Sequence, residues 1–478
     1  MSILTFLARG MVILGMTSGV MSADLLNPLS LEPLNETNRI PLRAPEPGAV
    51  PAQRPKPRPA FEWRAGDRVV LLGDSLLERE MAMGFLETRL VTQNPDRDLQ
   101  VRVIPWLTNH PLAGVATPGD QWLEDLRDEL RFLKPTVVGL AFGNDLREKD
   151  AAAVAAFQTH LARLLDRITD GPADQRPRLL LFSPLGRPKP ADGDTEAQSA
   201  EEFRRKLTEV VGTIATNRNA EFVNLHAWVR ATEDFLERVS EGHTNRFPRL
   251  FDDRGQLTAF GFYRATLALE RSLQWRSSNW RFGYQSDGSL RDGGFGTRIL
   301  DRSRTDQFVR VRHQEELLPT PNPEGFVDRT ESTRPQCYIQ LRGLASGMYA
   351  LRVDGEEVQR AADYDWGRYQ IIADGPSWKQ AENLRQLIVK KNDLFARRWA
   401  PGGEARSATG STSDIQPFAD PVVAEIEREI AKTRKPVARV YEVVRVGEAP
   451  KTETLFRIPP SQPSSASGES TIQVIPVK

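Results

Sequence analysis

Short apolar runs alternate with longer amphipathic stretches between about residue 61 and residue 273, and this alternation constrains the fold more than any other feature. Short runs dominated by Val, Leu, Ile and Phe are typical of strands that a parallel sheet buries on both faces. Helical stretches between such strands are typical of a doubly wound α/β sheet. We predict five strands, at Val69–Leu72, Leu99–Ile104, Thr136–Phe142, Arg178–Phe182 and Glu221–Leu225.

Two of the intervening stretches carry their apolar residues at helical spacing. They run from Asp120 to Leu133 and from Ala151 to Ile168. An apolar stripe of this period marks the side of a helix that packs on a core. We therefore expect both stretches to cover the sheet.

Polar residues follow three apolar runs. Gly73-Asp74-Ser75-Leu76 comes after the first strand, Gly143-Asn144-Asp145 after the third, and an acidic segment follows Phe251. The carboxyl ends of parallel strands share one edge of a sheet, where such folds bind ligands. Ser75 is therefore a candidate nucleophile. The alternative is an ordinary turn, because Gly, Asp and Ser are also common turn residues.

These motifs occur in the order found in a known family. Gly73–Leu76, Gly143–Asp145 and the segment Asp253-x-x-Gln256-Leu257, which opens the last helix, together resemble the SGNH (GDSL) hydrolase family over about residues 65–275. The resemblance implies a flavodoxin-like doubly wound parallel sheet. It also implies a serine esterase acting on acyl or acetyl esters, often of carbohydrates. The ligand we expect is a small-molecule or carbohydrate ester.

The resemblance assigns a role to four residues. Ser75 matches the nucleophile, Asn144 an amide donor of the oxyanion hole, and Asp253 the aspartate that orients the catalytic histidine. Gln256 stands where the family places that histidine. A glutamine amide is not basic near neutral pH, so it cannot take the serine proton. The sequence therefore predicts an esterase-like site whose base position is degenerate and whose catalysis is impaired.

A second departure concerns the oxyanion hole. If the family's glycine falls at Pro105, the site loses a donor, because proline has no backbone N–H. Gly114 or Gly119, further along the same loop, are the alternatives. Of the five histidines we expect only His110 and His243 near the crevice, as candidates for a substitute base. The other three are predicted elsewhere: His160, His226 and His313.

The ends of the chain have their own compositions. Residues 1–23 have the pattern of a secretory signal peptide, with an uncleaved membrane anchor as the alternative. Residues 24–60 are proline-rich and indicate an extended linker. We therefore expect an exported protein, periplasmic or extracellular. A flexible tail is predicted over 446–478, where Pro and Ser accumulate.

The chain is long enough for several units. We predict a hydrolase-type domain over 61–274, a small β-rich module of antiparallel strands over 275–360, and a C-terminal helical extension over 361–445. Structural support by the β-rich module is favoured over carbohydrate binding, since no cluster of exposed aromatic residues is evident. The stretch Leu384–Trp399 and a later Asp-Pro-Val-Val-Ala-Glu segment resemble large exported SGNH-type proteins of environmental bacteria such as planctomycetes.

Charge and cysteine content narrow the classes of partner. Lys+Arg and Asp+Glu both number 64, so nothing indicates binding to nucleic acid or to an anionic membrane surface. The single cysteine, Cys337, excludes an internal disulfide, and no metal-ligand cluster or nucleotide fingerprint predicts a cofactor. Oligomeric state is not indicated. Three functions stay open: a hydrolase with an unconventional base, a non-catalytic glycan- or ester-binding protein, and an envelope scaffold.

Overall fold

A computed structural model gives the fold. The predicted signal peptide (1–23), the linker (24–60) and most of the tail (446–478) lie outside the described residues. The described part falls within one compact unit, Pro59–Lys478. The structure describes residues 61–105, 127, 130–146, 149–187, 190, 193–240, 247–285, 287, 289–327, 337–399, 418 and 420–449.

Five parallel strands form the first sheet, in the order β2-β1-β3-β4-β5, which is the order of flavodoxin-like doubly wound sheets. Apart from the fifth, they lie within two residues of the predicted strands. The strands are β1 (Arg68–Gly73), β2 (Gln100–Pro105), β3 (Val137–Ala141), β4 (Arg178–Phe182) and β5 (Glu221–Val223).

The fifth strand ends earlier than predicted. Leu225 already begins a helix, because the side chain of Asn224 accepts a hydrogen bond from the backbone N–H of Ala227 at 2.9 Å and caps the helix start. The sequence interpretation of His226 as part of a strand end and loop is therefore wrong. His226 lies in the first turn of that helix.

Helices cover both faces of this sheet, so the predicted α/β layering is confirmed. The alternation of side chains along β1 shows it: Val69 and Leu71 belong to one buried cluster, Val70 and Leu72 to the other. Of the helix predicted at 120–133, the described residues 127 and 130–133 are helical. The helices of this region are α1 (Ser75–Met83), α2 (Phe85–Gln93), α3 (Ala151–Ile168), α4 (Thr195–Asn217), α5 (Leu225–Ser240) and α6 (Ala259–Ser272).

Nine further strands form two more sheets, ordered β13-β10-β6-β7 and β12-β11-β14-β9-β8. Most neighbours are antiparallel, as predicted, but β6 and β10 run parallel. This pairing is available because β7, β8 and β9 lie between them in the chain and return it to the starting end. The strands are β6 (Arg281–Tyr284), β7 (Leu290–Phe295), β8 (Thr297–Arg304), β9 (Phe308–Glu315), β10 (Cys337–Leu341), β11 (Met348–Val353), β12 (Glu356–Ala362), β13 (Gln370–Ile372) and β14 (Arg439–Gly447).

The segment predicted as a helical extension, 361–445, is not wholly helical. It holds the short helix α7 (Asp363–Trp366) and two longer ones, α8 (Pro376–Trp399) and α9 (Pro421–Thr433). It also holds β13 and most of β14, which pairs with β9 and β11 in the middle of a sheet. Alternating buried and half-buried residues along β14 explain that position.

Helix α8 connects three buried clusters. Its first turns place Trp378 among the aromatic residues between the two β-rich sheets. Its middle places Ala381, Leu384 and Ile388 against α1 and α2 on one face of the parallel sheet. Its end places Phe395 in the cluster of the opposite face. The C-terminal helices are therefore part of the core around the parallel sheet. Among the described helices, none combines the length and apolar character that a membrane span requires.

A buried carboxyl lies behind the serine turn, on α1. Glu80 is fully buried, and its Oε1 accepts hydrogen bonds from the backbone N–H groups of Leu86 at 2.8 Å and Glu87 at 3.1 Å. Burial raises the pKa of Glu80 to about 8. The folded chain therefore keeps a proton that the unfolded chain releases, and this contribution to stability falls as pH rises from about 4.5 to about 8.

We expect Glu80→Gln to stabilise the protein increasingly as pH rises. The amide oxygen keeps both accepted hydrogen bonds without an ionisable group. Relative to wild type, the variant should gain at least about 1 kcal/mol between about pH 5 and about pH 9, since one pKa unit is 1.36 kcal/mol. Chemical denaturation at both pH values measures it. Glu78→Gln, on the exposed face of the same helix, is the control and should show no such gain. Parallel curves for Glu80→Gln and wild type would contradict the raised pKa.

Candidate active site

The serine turn sits where β1 passes into α1. Asp74 has an extended backbone and caps the helix, its side chain accepting from the N–H of Leu76 at 3.3 Å. Its own N–H donates to the carbonyl of Ala141, at the end of β3, at 3.0 Å. Ser75 is therefore the first residue of the helix, held at the carboxyl edge of the sheet.

Both hydrogen-bond donors of Ser75 bind one carboxylate. The Oγ hydroxyl donates to Oδ1 of Asp145 at 2.5 Å, and the backbone N–H donates to Oδ2 of the same residue at 3.0 Å. In the resemblance this N–H belongs to the oxyanion hole. Here it faces a negative charge, which opposes a developing oxyanion at the same place.

Asn144 is fixed between two strand ends. Its backbone N–H and its Nδ2 donate to the carboxylate of Asp74 at 2.7 and 3.0 Å, and its Oδ1 accepts from the N–H of Leu185 at 2.9 Å. Burial, and next the charge of Asp145, raise the pKa of Asp74 to about 7. One of the two Nδ2 hydrogens is thus engaged away from the place where a substrate carbonyl would lie.

The base position is occupied by an amide bound to a cation. Oε1 of Gln256 accepts from Nη1 of Arg79 at 2.7 Å. The other guanidinium donors of Arg79 reach the carbonyl of Leu257 at 2.7 Å and Oδ2 of Asp252 at 2.8 Å. Arg79 follows Ser75 by four residues on α1, so both lie on one face of the helix. The guanidinium therefore holds Gln256 in a single, non-basic arrangement.

Asp252, and not Asp253, points toward Gln256. Oδ1 of Asp252 accepts from the backbone N–H groups of Gln256 at 2.9 Å and Arg254 at 3.0 Å. The side chain of Asp253 is 89% exposed and pairs with Arg249 at 2.9 Å. The structure therefore brings Ser75, Asn144 and Gln256 together, and it places the predicted orienting acid on the outer surface.

These residues line a cavity of about 220 Å³. Its wall combines the serine turn, the end of β3, the segment after β4 and the segment before α6. The lining residues are Ser75, Leu76, Arg79, Asn144, Asp145, Leu185, Arg187, Arg254, Gly255, Gln256, Leu257 and Phe262. A cavity of this size suits a small acyl group with part of its alcohol.

Pro105 ends β2 directly beside Gly73 of β1 in the sheet register. The backbone position predicted for the oxyanion glycine thus lies at the edge that carries Ser75. Several residues predicted near the crevice lie outside the described residues: Trp106, His110, Gly114, Gly119 and His243.

No described histidine lines the cavity. His226 is the one that approaches it, from α5, with Nε2 3.0 Å from Oε1 of Glu201. The other oxygen of Glu201 accepts from the backbone N–H of Arg187, which does line the cavity. His313 is buried in β9 beside Thr297, and burial lowers its pKa to about 3.

Sequence reasoning missed four residues of this site: Asp145, Arg79, Asp252 and Arg187. Asp145 was part of the Gly-Asn-Asp motif, and Arg79 lay one helical turn beyond Ser75, so spacing carried a signal for both. Nothing in the sequence distinguished Asp252 from Asp253 or indicated Arg187. Among the described residues, no group of three or more His, Cys, Asp or Glu side chains is placed to hold a metal ion.

No protein-family model matches the chain, and no curated protein matches it. Among solved structures, BT4096, a gut microbial diltiazem-metabolizing enzyme, matches with a TM-score of 0.58 and 13% identity, over 80% of this chain and 99% of that one. A catalytic mutant of Axe2, an acetylxylan esterase from Geobacillus stearothermophilus, covers 45% of this chain and 98% of its own at TM-score 0.33 and 16% identity. The α/β hydrolase LAE5, from the metagenome of Lake Arreo in Spain, covers 44% and 97% at TM-score 0.33 and 14% identity. At these identities the similarity to BT4096 is one of fold.

Proposed function

We propose that the cavity at Ser75 is an SGNH-type ester-hydrolase site that binds an acyl or acetyl ester, of a carbohydrate or another small alcohol, and hydrolyses it slowly or not at all. Three features support ester binding: the position of Ser75 at the carboxyl edge of the parallel sheet, the amide of Asn144 beside it, and a fold shared with BT4096.

The observation that carries the impairment is the pairing of Ser75 with Asp145. Both the Oγ hydroxyl and the backbone N–H are spent on one carboxylate. A carboxylate is a far weaker base than an imidazole, so it activates a serine hydroxyl poorly. Its charge also opposes an oxyanion at the serine N–H.

The occupied base position adds to this. Gln256 cannot accept the serine proton, and Arg79 holds it in place. Removal of a triad base eliminates most of the rate, which leaves what binding and the oxyanion hole supply. Slow turnover leaves the ester bound for longer, so the site serves recognition better than catalysis.

We expect a fluorophosphonate probe to label wild-type Ser75 slowly or not at all. Such probes need an activated serine, and the only described partner of this hydroxyl is the Asp145 carboxylate. The measurement is mass spectrometry of the labelled peptide over time, with Ser75→Ala as the blank. Fast labelling of the wild type that Ser75→Ala abolishes would overturn the impaired site.

Rebuilding the base should restore hydrolysis. Gln256→His places an imidazole beside Asp252, but Arg79 would still direct a cation at it and lower its basicity. We therefore expect Gln256→His to raise the rate on an aryl acetate, and Gln256→His with Arg79→Gln to raise it further, by at least about tenfold over wild type. This is the low end of what a positioned base contributes, roughly 10²–10⁴-fold.

Two controls make this test specific. Gln256→Asn keeps a non-basic amide and should gain nothing. Adding Ser75→Ala to the rebuilt variant should return the rate to that of wild type. If the rebuilt variants gain nothing, but adding Pro105→Gly produces hydrolysis, the missing oxyanion N–H is the second defect. If none of these variants gains activity, the esterase-like assignment is wrong.

A further inference from the structure

The cavity at Ser75 is unusually cationic. Among its described lining residues are three arginines, Arg79, Arg187 and Arg254, and one aspartate, Asp145. The chain as a whole has no net charge. Low-dielectric walls focus the field of like charges in a cleft, so this local excess favours anions inside it.

Arg79 does not account for that preference. Its guanidinium donors are directed to Leu257, Gln256 and Asp252, and the ion pair with Asp252 neutralises it. Arg79 therefore shapes the cavity without being available to a ligand. Arg254, beside it in sequence, is exposed and adds positive charge near the opening.

Arg187 is the cation that lacks a carboxylate of its own. Its guanidinium lies over the ring of Phe251, 5.2 Å from the ring centre, and within the described residues it makes no ion pair. The nearby Glu201 accepts from the backbone N–H of Arg187 and stands 3.0 Å from Nε2 of His226. Burial, and next the neighbouring Arg204, lower the pKa of Arg187. A partly buried cation without a counterion is unfavourable, and a bound anion relieves it.

Gly255 fixes how close the opposite wall comes. It has a φ of +71°, and a Cβ added there would lie 2.7 Å from Nη1 of Arg187. Glycine thus lets the backbone before α6 pass close to the guanidinium. Arg187 is held between this backbone and Phe251, with its remaining side toward the cavity, so it is prepared for a planar, bidentate partner.

We propose that the ester bound at Ser75 carries a carboxylate group, and that Arg187 pairs with that carboxylate. The inference rests on the proposed function and adds to it the chemical class of the ligand. The carboxylate belongs to the part of the molecule that Arg187 reaches, while the ester carbonyl faces Ser75 and Asn144. A uronic acid ester and an acylated hydroxy acid both have this arrangement of groups.

The test compares two esters of the same shape. para-Acetoxybenzoate carries a carboxylate, whereas methyl para-acetoxybenzoate is neutral, and calorimetric titration measures the affinity of wild-type protein for each. We expect the anion to bind at least about tenfold more tightly. The preference should shrink to about twofold or less in Arg187→Gln and survive in part in Arg187→Lys. Arg205→Gln, an exposed arginine on α4, should leave it unchanged.

A second measurement needs no variant. Raising the salt concentration should weaken binding of para-acetoxybenzoate and leave its methyl ester unaffected, since screening acts on the charged ligand. Equal affinity for both esters, with or without Arg187, would overturn the carboxylate inference and leave the proposed function standing. Failure of both esters to bind would overturn both proposals.

Discussion

Lys391→Met is expected to lower the free energy of unfolding by about 3–5 kcal/mol, the usual result of removing one partner of a buried ion pair. Lys391 lies on α8 and donates from Nζ to Oε1 of Glu87 and, at 2.7 Å, to the carbonyl of Val101. The side chains of Lys391 and Glu87 are 1% and 2% exposed. Removing the ammonium would leave the Glu87 carboxylate buried with Asn392 as its remaining side-chain donor, at 2.9 Å.

The position of this pair makes the effect structural as well as electrostatic. It joins α8 to α2 and to β2, the strand that ends at Pro105 beside the serine turn. Burial lowers the pKa of Lys391, and the charge of Glu87 opposes that shift. Neither charge is therefore stable without the other, and the helix that connects the three buried clusters depends on both.

Two comparisons isolate the pair in urea unfolding experiments. Lys391→Met with Glu87→Gln removes both charges and should recover most of the lost stability, because no buried charge is then unpaired. Lys432→Met removes an exposed lysine paired with Glu429 on α9, and should change stability by no more than about 0.5 kcal/mol. A Lys391→Met variant as stable as wild type would contradict the buried pair.

The same lysine shows where sequence-based prediction of the fold stops. Periodicity located α8 and α9 almost to the residue and identified Lys391 as an interruption of an apolar stripe. It could not show that Glu87, about 300 positions earlier, receives that charge. Strand β14 was missed for a related reason: its neighbours β9 and β11 are distant in sequence, and half-buried residues blur its alternation.

The site was predictable up to the choice between neighbouring residues. The strand-end motifs placed Ser75, Asn144 and Gln256 around one cavity. The turn before α6 then decided that Asp252 faces inward and Asp253 outward, through backbone hydrogen bonds to Asp252 that spacing does not reveal. Likewise the motif contained Asp145, but only the path of the chain after β3 shows that its carboxylate binds both donors of Ser75.

Gly73→Ala is the second substitution from which we expect a large loss, about 3 kcal/mol or more. A Cβ at Gly73 would lie 2.1 Å from the carbonyl oxygen and 2.9 Å from the carbonyl carbon of Ala141. These are backbone atoms of the neighbouring strand β3, so no side-chain rotation relieves the clash. The strands must separate at their carboxyl ends, where the N–H of Asp74 donates to the same carbonyl.

The separation should also disturb the site, which distinguishes this variant from a general loss of stability. Moving Asp74 away from β3 weakens its bonds to Asn144 and shifts Ser75 from Asp145. We therefore expect Gly73→Ala to lose affinity for para-acetoxybenzoate even at temperatures where it stays folded. Gly447→Ala, with nothing within 4 Å of the added methyl group, is the matched control and should change stability by no more than about 0.5 kcal/mol. Wild-type stability in Gly73→Ala would mean that β1 and β3 do not approach this closely, and the serine turn would then need a different description.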